Sequence, residues 1–298
     1  MSRLKSLKAI SVMALLATAA APALADDDIA AKFSNSVATS QVQVEYSPID
    51  QFIGAFCDEN SGRVQCAYDA MGQQGDRYLT RFETYLSRVP VSRLSKDDQL
   101  AYWLNTRNML VVHAIAESRS RKLTKARGTF AAPGEMWTKK RITVEGVELS
   151  IQDIERDILL ASFDDPNLIY GMYQGTKGGP AMHNTGFTGS SVHADLEKLG
   201  QSFVNSRSGL RVSKSKANIN AIYDWYGDAL FDGDDAKFKA HLASLAKGKR
   251  ASGLNNVSEF KSAKFSYSVD NFVVRQQSPA SRAAGGVTGG GVGGGYGS

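Results

Sequence analysis

Apolar residues recur at helical spacing over much of the chain. In "DRYLTRFETYLSRV" the residues Tyr78, Leu79, Phe82, Tyr85, Leu86 and Val89 fall three and four apart, along one helical face. In "SKDDQLAYWLNTRNMLVVHAIAES" the residues Leu100, Trp103, Leu104, Leu110, Val111 and Ile115 predict a long, largely buried helix. Ser95 with Asp98 three residues on marks its start, aspartate standing in for the usual glutamate of a capping box. Ser47 as cap and Pro48 in the first turn begin a short helix in "SPIDQFIGAFC". Further helices are predicted for "IQDIERDILLASF" behind a Ser150 cap, "SSVHADLEKLGQSFVN", "NINAIYDWYGDALF" and "DDAKFKAHLASLAKG".

Strand signals are fewer. "RITVEGVELS" sets β-branched residues on either side of Glu145-Gly146 and predicts a hairpin near 141–149. "NLIYGMYQ" is short, apolar and aromatic, the pattern of a buried strand; "GLRVS" and "KFSYSVDNFVV" read as two more. The expected fold class is therefore α+β, a mainly helical domain with a few short strands. One domain is expected over residues 47–275. It follows a flexible arm at 26–46, polar with scattered valines, and precedes a glycine-rich tail at 276–298 that cannot bury enough surface to offset its ordering entropy.

The first 25 residues change the charge argument. Arg3, Lys5 and Lys8 precede an apolar run that ends at Ala23-Leu24-Ala25, the layout of a secretory signal peptide with its cleavage site. Its removal lowers Lys+Arg from 35 to 32 against 30 Asp+Glu, so the net charge falls from +5 to +2. A basic excess that small excludes a general nucleic-acid binder. A periplasmic or secreted protein is expected, with no transmembrane segment once the leader is gone. In an oxidising compartment the two cysteines, Cys57 and Cys66, are expected to form a disulfide, the alternative being two buried thiols. "CDENSGRVQC" supplies too few ligands for a metal, and no cofactor is implied.

The candidate chemistry centres on "YGMYQGTKGGPAMHNTG", residues 170–186, with five glycines, Lys177 and His183. Walker spacing is absent, because only Thr176 separates Gly175 from Lys177, and no G-x-G-x-x-G follows; a generic anion nest is left open. Ser190 and Ser191 lack a nucleophile elbow and are expected to cap the next helix. Asn105 and Asn108, three apart, share a helical face from which their amides could tether an irregular loop or touch a ligand. His113, two turns on from Asn105, reads as a satisfied core histidine or a catalytic group. "IYDWY" at Asp224, Trp225 and Tyr226 reads as packed aromatics beside a solvated acid. Between Arg119 and Arg141 eight basic residues face one acid, Glu135, which is either solvated loop charge or a polyanion surface.

The order of "AYWLNTRNML", "LSIQDIERDILL", "DPNLIYGMYQGTKGGPAM", "FVNSRSGLRV" and "INAIYDWYGDALF" resembles the bacterial and plant family termed domain of unknown function 547, over about 96–271. Trp103, Asn105 and Asn108 match its helix motif, with Arg107 where tyrosine is usual. Leu149, Ser150, Asp153, Ile154 and Glu155 match its second motif, and Asp165-Pro166 open its third. Gln174 and Gly179 stand where the family loop has cysteines, and Ile169 where it has histidine. The resemblance thus implies a family pocket whose reactive groups are gone, since glutamine is neither nucleophile nor titrating base.

The leading expectation is a non-catalytic domain that binds a small ligand or an envelope protein through Asn105, Asn108, Gln174, Lys177 and His183. An envelope-associated hydrolase using His183, Asn108 or His113 is one alternative, and a polyanion-binding module working through 119–141 is another.

Overall fold

The computed structural model describes residues 26–60, 62–128 and 132–272. The leader at 1–25 and the tail at 276–298 lie outside them. In chain order the first half contains α1 (Asp26–Phe33), α2 (Ser47–Phe56), β1 (Cys57–Asn60), β2 (Arg63–Cys66), α3 (Tyr68–Leu86), α4 (Lys96–Ser118), α5 (Thr124–Arg127) and α6 (Glu135–Thr138). A hairpin of β3 (Lys140–Val144) and β4 (Val147–Ser150) leads into α7 (Ile151–Asp153), a π-helical stretch at Ile154–Leu159, and α8 (Leu160–Ser162). Then follow α9 (Leu168–Gly171), α10 (Val192–Val204), β5 (Leu210–Ser213), β6 (Lys216–Asn220), α11 (Ile222–Phe231), α12 (Asp235–Leu245), α13 (Gly248–Leu254) and β7 (Glu259–Ala263). The class is α+β and mainly helical.

The axis of the fold is α4. Every residue from Gln99 to Ile115 is buried, so the helix is surrounded on all sides rather than half-exposed. Ser95 caps it by accepting from the Asp98 amide at 3.4 Å, and Arg119 ends it in the left-handed conformation. Apolar residues from Ile29 to Val269 join in one core around it.

Each hairpin follows from local chemistry. In β3–β4 the turn residues Glu145 and Gly146 both have positive φ, 46° and 85°, the twist that suits a two-residue hairpin. In β1–β2 Cys57 and Cys66 face each other across the strands and are joined as a disulfide. Closing so short a loop contributes about 2–3 kcal/mol on the chain-entropy account. Strands β5 and β6 pair antiparallel, and β7 adds to β6 in parallel.

Several expectations are corrected. The stretch 26–46 is not a loose arm, because Ile29 and Phe33, four apart on α1, are buried and Phe33 meets Trp103 edge-to-face at 4.9 Å. "NLIYGMYQ" is the single helical turn α9 followed by irregular chain, since an apolar run that short fits either period. "KFSYSVDNFVV" forms no strand over its described residues; the parallel strand β7 lies just upstream, and Ser268, Val269 and Asn271 make isolated bridges to Lys122, Thr176 and Cys66. Ser191 precedes α10 without a side-chain cap, its hydroxyl instead 2.9 Å from that of Thr188. At Ser150 the capping box is complete, with Asp153 answering the serine.

Candidate functional site

Asn105 and Asn108 project from α4 into the irregular chain beyond α9. Asn105 pairs with both backbone groups of Phe187, donating at 2.8 Å and accepting at 2.9 Å. Asn108 donates to the Gly171 carbonyl at 2.7 Å and accepts from the Tyr173 amide at 3.1 Å. Both amides therefore satisfy main chain that no regular element could pair. Asn108→Ala removes the side-chain partner of both groups, leaving only the 3.1 Å bond between the Tyr173 amide and the Gly171 carbonyl, and takes an acceptor from Arg107; it is expected to destabilise by about 1–3 kcal/mol in urea unfolding.

Arg107, between them, anchors a fully buried polar network. Its guanidinium bonds the Glu155 carboxylate at 2.8 Å, the Asn108 amide oxygen at 2.9 Å and the Tyr173 carbonyl. Glu155 comes from the π-helical stretch, whose wide turn buries it beside Ile154, Ile158 and Leu159. It also accepts from the Trp137 indole at 3.2 Å and the Tyr226 hydroxyl. Burial alone would push its carboxyl up; Arg107, Arg127 and the Tyr226 hydroxyl outweigh that and hold it below the ordinary range. Burial and Glu155 push the Tyr226 phenol up, so it donates as a neutral group.

Gln174 completes this network. Its oxygen accepts from Arg127 at 2.7 and 3.2 Å, and its nitrogen donates to Tyr226 at 3.1 Å and to the Met172 carbonyl at 2.9 Å. Arg127, in a run expected to be either solvated loop charge or a polyanion surface, is instead buried between the rings of Trp137 (4.8 Å) and Trp225 (4.3 Å). Trp225 and Tyr226 thus serve packing and the network, while Asp224 is exposed.

The glycine loop is pinned, not poised. The Lys177 and Gly178 amides donate to the Ser268 and Ser266 carbonyls at 2.8 and 3.1 Å, so neither is free to cradle an anion. Arg63, on the disulfide-closed hairpin, donates to the Thr176 and Gly179 carbonyls at 3.0 Å each and to buried Asp270 at 2.6 Å. Positions 174 and 179 lie against each other: a Cβ on Gly179 would sit 2.7 Å from that of Gln174. From Tyr173 to Pro180 the exposed residue is Lys177.

The three catalytic candidates do not converge. Asn108 is held in the core as described. His113 lies between α3 and α4, with Nδ1 2.7 Å from Glu83 and Nε2 3.1 Å from Asp76. His183 stacks on Phe187 at 4.6 Å in a cleft of about 330 Å³. Its Nδ1 is 2.9 Å from the Thr185 carbonyl, which can only accept, so that nitrogen carries the proton. Its Nε2 is 3.9 Å from Asp195. No group of three or more His, Cys, Asp or Glu is placed to hold a metal among the described residues.

A wider cleft, about 960 Å³, opens where the kinked start of α3, the C-terminal end of α4, the glycine loop and the 268–271 segment meet. Its lining acids are engaged: Asp69 with Arg121 at 3.2 Å, Asp76 with His113, and Glu117 with Arg141 at 2.8 Å. Its remaining cations, Arg119, Lys139 and Lys177, are exposed, and none makes a side-chain hydrogen bond or salt bridge among the described residues, Lys139 acting on Glu117 only through its charge. Two of these belong to the basic 119–141 stretch and the third to the glycine loop. The sequence signal for this cluster was the basic run itself; that Lys177 joins it required the fold.

Residues 91–204 match the model of a family described as protein of unknown function, DUF547. The match opens near the expected start of the resemblance and stops at the end of α10, so the chain from there to Asn271, where the resemblance was expected to continue, lies outside it. No curated protein matches the chain, and no solved structure does.

Proposed function

We propose that this protein is an exported, non-catalytic binding domain that takes an anionic ligand in the cleft rimmed by Arg119, Lys139 and Lys177. The observation that carries this reading is the set of three exposed cations, none in a salt bridge among the described residues, facing one 960 Å³ cleft whose acids are already engaged. The loop positions where the family has cysteines support the non-catalytic half. Gln174 is consumed by Arg127, Tyr226 and the Met172 carbonyl, and Gly179 offers backbone alone. Export is supported by the leader-like first 25 residues and by the disulfide.

At low ionic strength sucrose octasulfate is expected to bind the cleft, and Arg119→Gln, Lys139→Gln and Lys177→Gln together to weaken it roughly a hundredfold, about 1 kcal/mol per lost exposed contact. Added salt should weaken wild-type binding much more than that of the triple variant. Equal binding by the two proteins would sink the proposal.

One observation favours a hydrolase instead: His183, with Nδ1 held by a carbonyl and Nε2 turned toward Asp195, has the posture of a general base. Turnover of peptide, ester or glycan substrates by wild type, abolished in a folded His183→Ala variant, would establish that reading and displace ours.

A further inference from the structure

We propose that the cleft is gated by pH through His113, whose loss of charge frees the Asp76 carboxylate to compete with a bound anion. The inference deepens the anion-site reading and rests on it.

The imidazole is clasped on both edges. Nδ1 faces Glu83 at 2.7 Å, Nε2 faces Asp76 at 3.1 Å, and Glu117, one turn on along α4, lies 3.9 Å from Nε2. A neutral imidazole has one N–H and one lone pair, so it can satisfy one of the two contacts and must repel the other carboxylate. Only the imidazolium fits the clasp. Around it α3 supplies Asp76 and Glu83, α4 supplies Glu117, and β3 with its entry residue supplies Arg141 and Lys139, both acting on Glu117.

These groups do not share one fate when the proton leaves. Burial would push the Glu117 carboxyl up, but Arg141 foremost, with the charges of His113 and Lys139, outweighs it, and the 2.8 Å bond to Arg141 keeps the acid paired when His113 loses its proton. The Glu83 side chain is 16 % exposed and needs the histidine proton more than Asp76 does, whose side chain is 61 % exposed. The proton is therefore lost from Nε2, and Asp76 turns to solvent. Asp76 lines the cleft with Arg119, Lys139 and Lys177, so its release sets an uncompensated carboxylate among them.

The pH window follows from the direction of the shift. Burial pulls the His113 imidazole down, but hydrogen bonds to Glu83 and Asp76 and the Glu117 charge raise it above its ordinary value. A group raised in the folded state stabilises fully below the unfolded value, about 6.5, and that contribution fades as pH rises through the folded one. The imidazolium holds Asp76 in mild acid and releases it as pH rises through the raised folded value.

Calorimetric titration with sucrose octasulfate tests this, because sulfate esters stay ionised across the range. At fixed ionic strength from about pH 5.5 to 8.5, wild-type affinity is expected to fall about five- to tenfold, the effect of one exposed charge a few ångströms from the ligand. His113→Gln is expected to flatten the profile, as is Asp76→Asn, an exposed substitution that decides the matter if the histidine variant does not fold. Wild-type binding that is independent of pH, or that falls equally in Asp76→Asn, overturns the gate and leaves the anion site standing. Absence of binding at every pH overturns the anion site and the gate together.

Discussion

Arg107→Ala is expected to destabilise the protein by about 3–5 kcal/mol, the cost of stranding a buried carboxylate. Glu155 is 1 % exposed and stays ionised because Arg107, Arg127 and Tyr226 surround it. Removing Arg107 takes away the 2.8 Å ion pair and, with it, the donors to Asn108 and the Tyr173 carbonyl. Against a typical stability of about 5–15 kcal/mol such a loss leaves a marginal fold. Glu155→Gln in the same chain should recover part of it, because a neutral amide is less costly to leave unpaired, so the two losses should not add. Urea unfolding of the two single variants and the double variant reads this directly. A loss below about 1 kcal/mol for Arg107→Ala would mean that water reaches Glu155.

Gly175→Ala is expected to lose about 2–5 kcal/mol, from two sources that act together. Gly175 has a φ of +69°, which an L residue adopts at about 1–2 kcal/mol. A Cβ there would sit 2.1 Å from the Ile115 Cδ1, an overlap that must displace a fully buried side chain of α4 at about 1–3 kcal/mol. Ile115→Val should relieve the overlap without touching the backbone cost, so the double variant is expected to fall between wild type and Gly175→Ala. A thermal melt unchanged in Gly175→Ala would contradict the close approach of loop and helix.

Much of the scaffold was legible because its signals are local. Ser95 before α4, the Ser150–Asp153 box, Glu145-Gly146 in its hairpin and the Cys57–Cys66 pair all lie within ten residues of the partner that explains them. The shared face of Asn105 and Asn108 was legible too, and their amides do hold irregular chain. What escaped is long-range. Arg107 meets Glu155 48 residues on, Arg127 meets Gln174 47 residues on, and Glu155 meets Tyr226 71 residues on. No periodicity signals such partners, and a π-helical stretch shifts the face on which Glu155 falls. Arg107 looked like a departure from a family motif; it is the centre of the buried network. Likewise the basic run from Arg119 to Arg141 divides in space, with Arg127 in the core and Arg119 and Lys139 at the cleft.

Amide chemical shifts followed during titration with sucrose octasulfate show whether an anion is held where Lys177 meets the 119–141 stretch. Other grooves among the described residues are the His183–Asp195 cleft, an acidic groove lined by Asp224, Asp228 and Glu259, and a shallower one lined by Asp153, Arg156 and Asp157. Saturable shifts are expected to cluster at Gln73, Ser120, Lys139, Lys177 and Ser268. Shifts clustered instead around His183, Asn184 and Lys198, with those five amides unmoved, would contradict an anion held at Lys177.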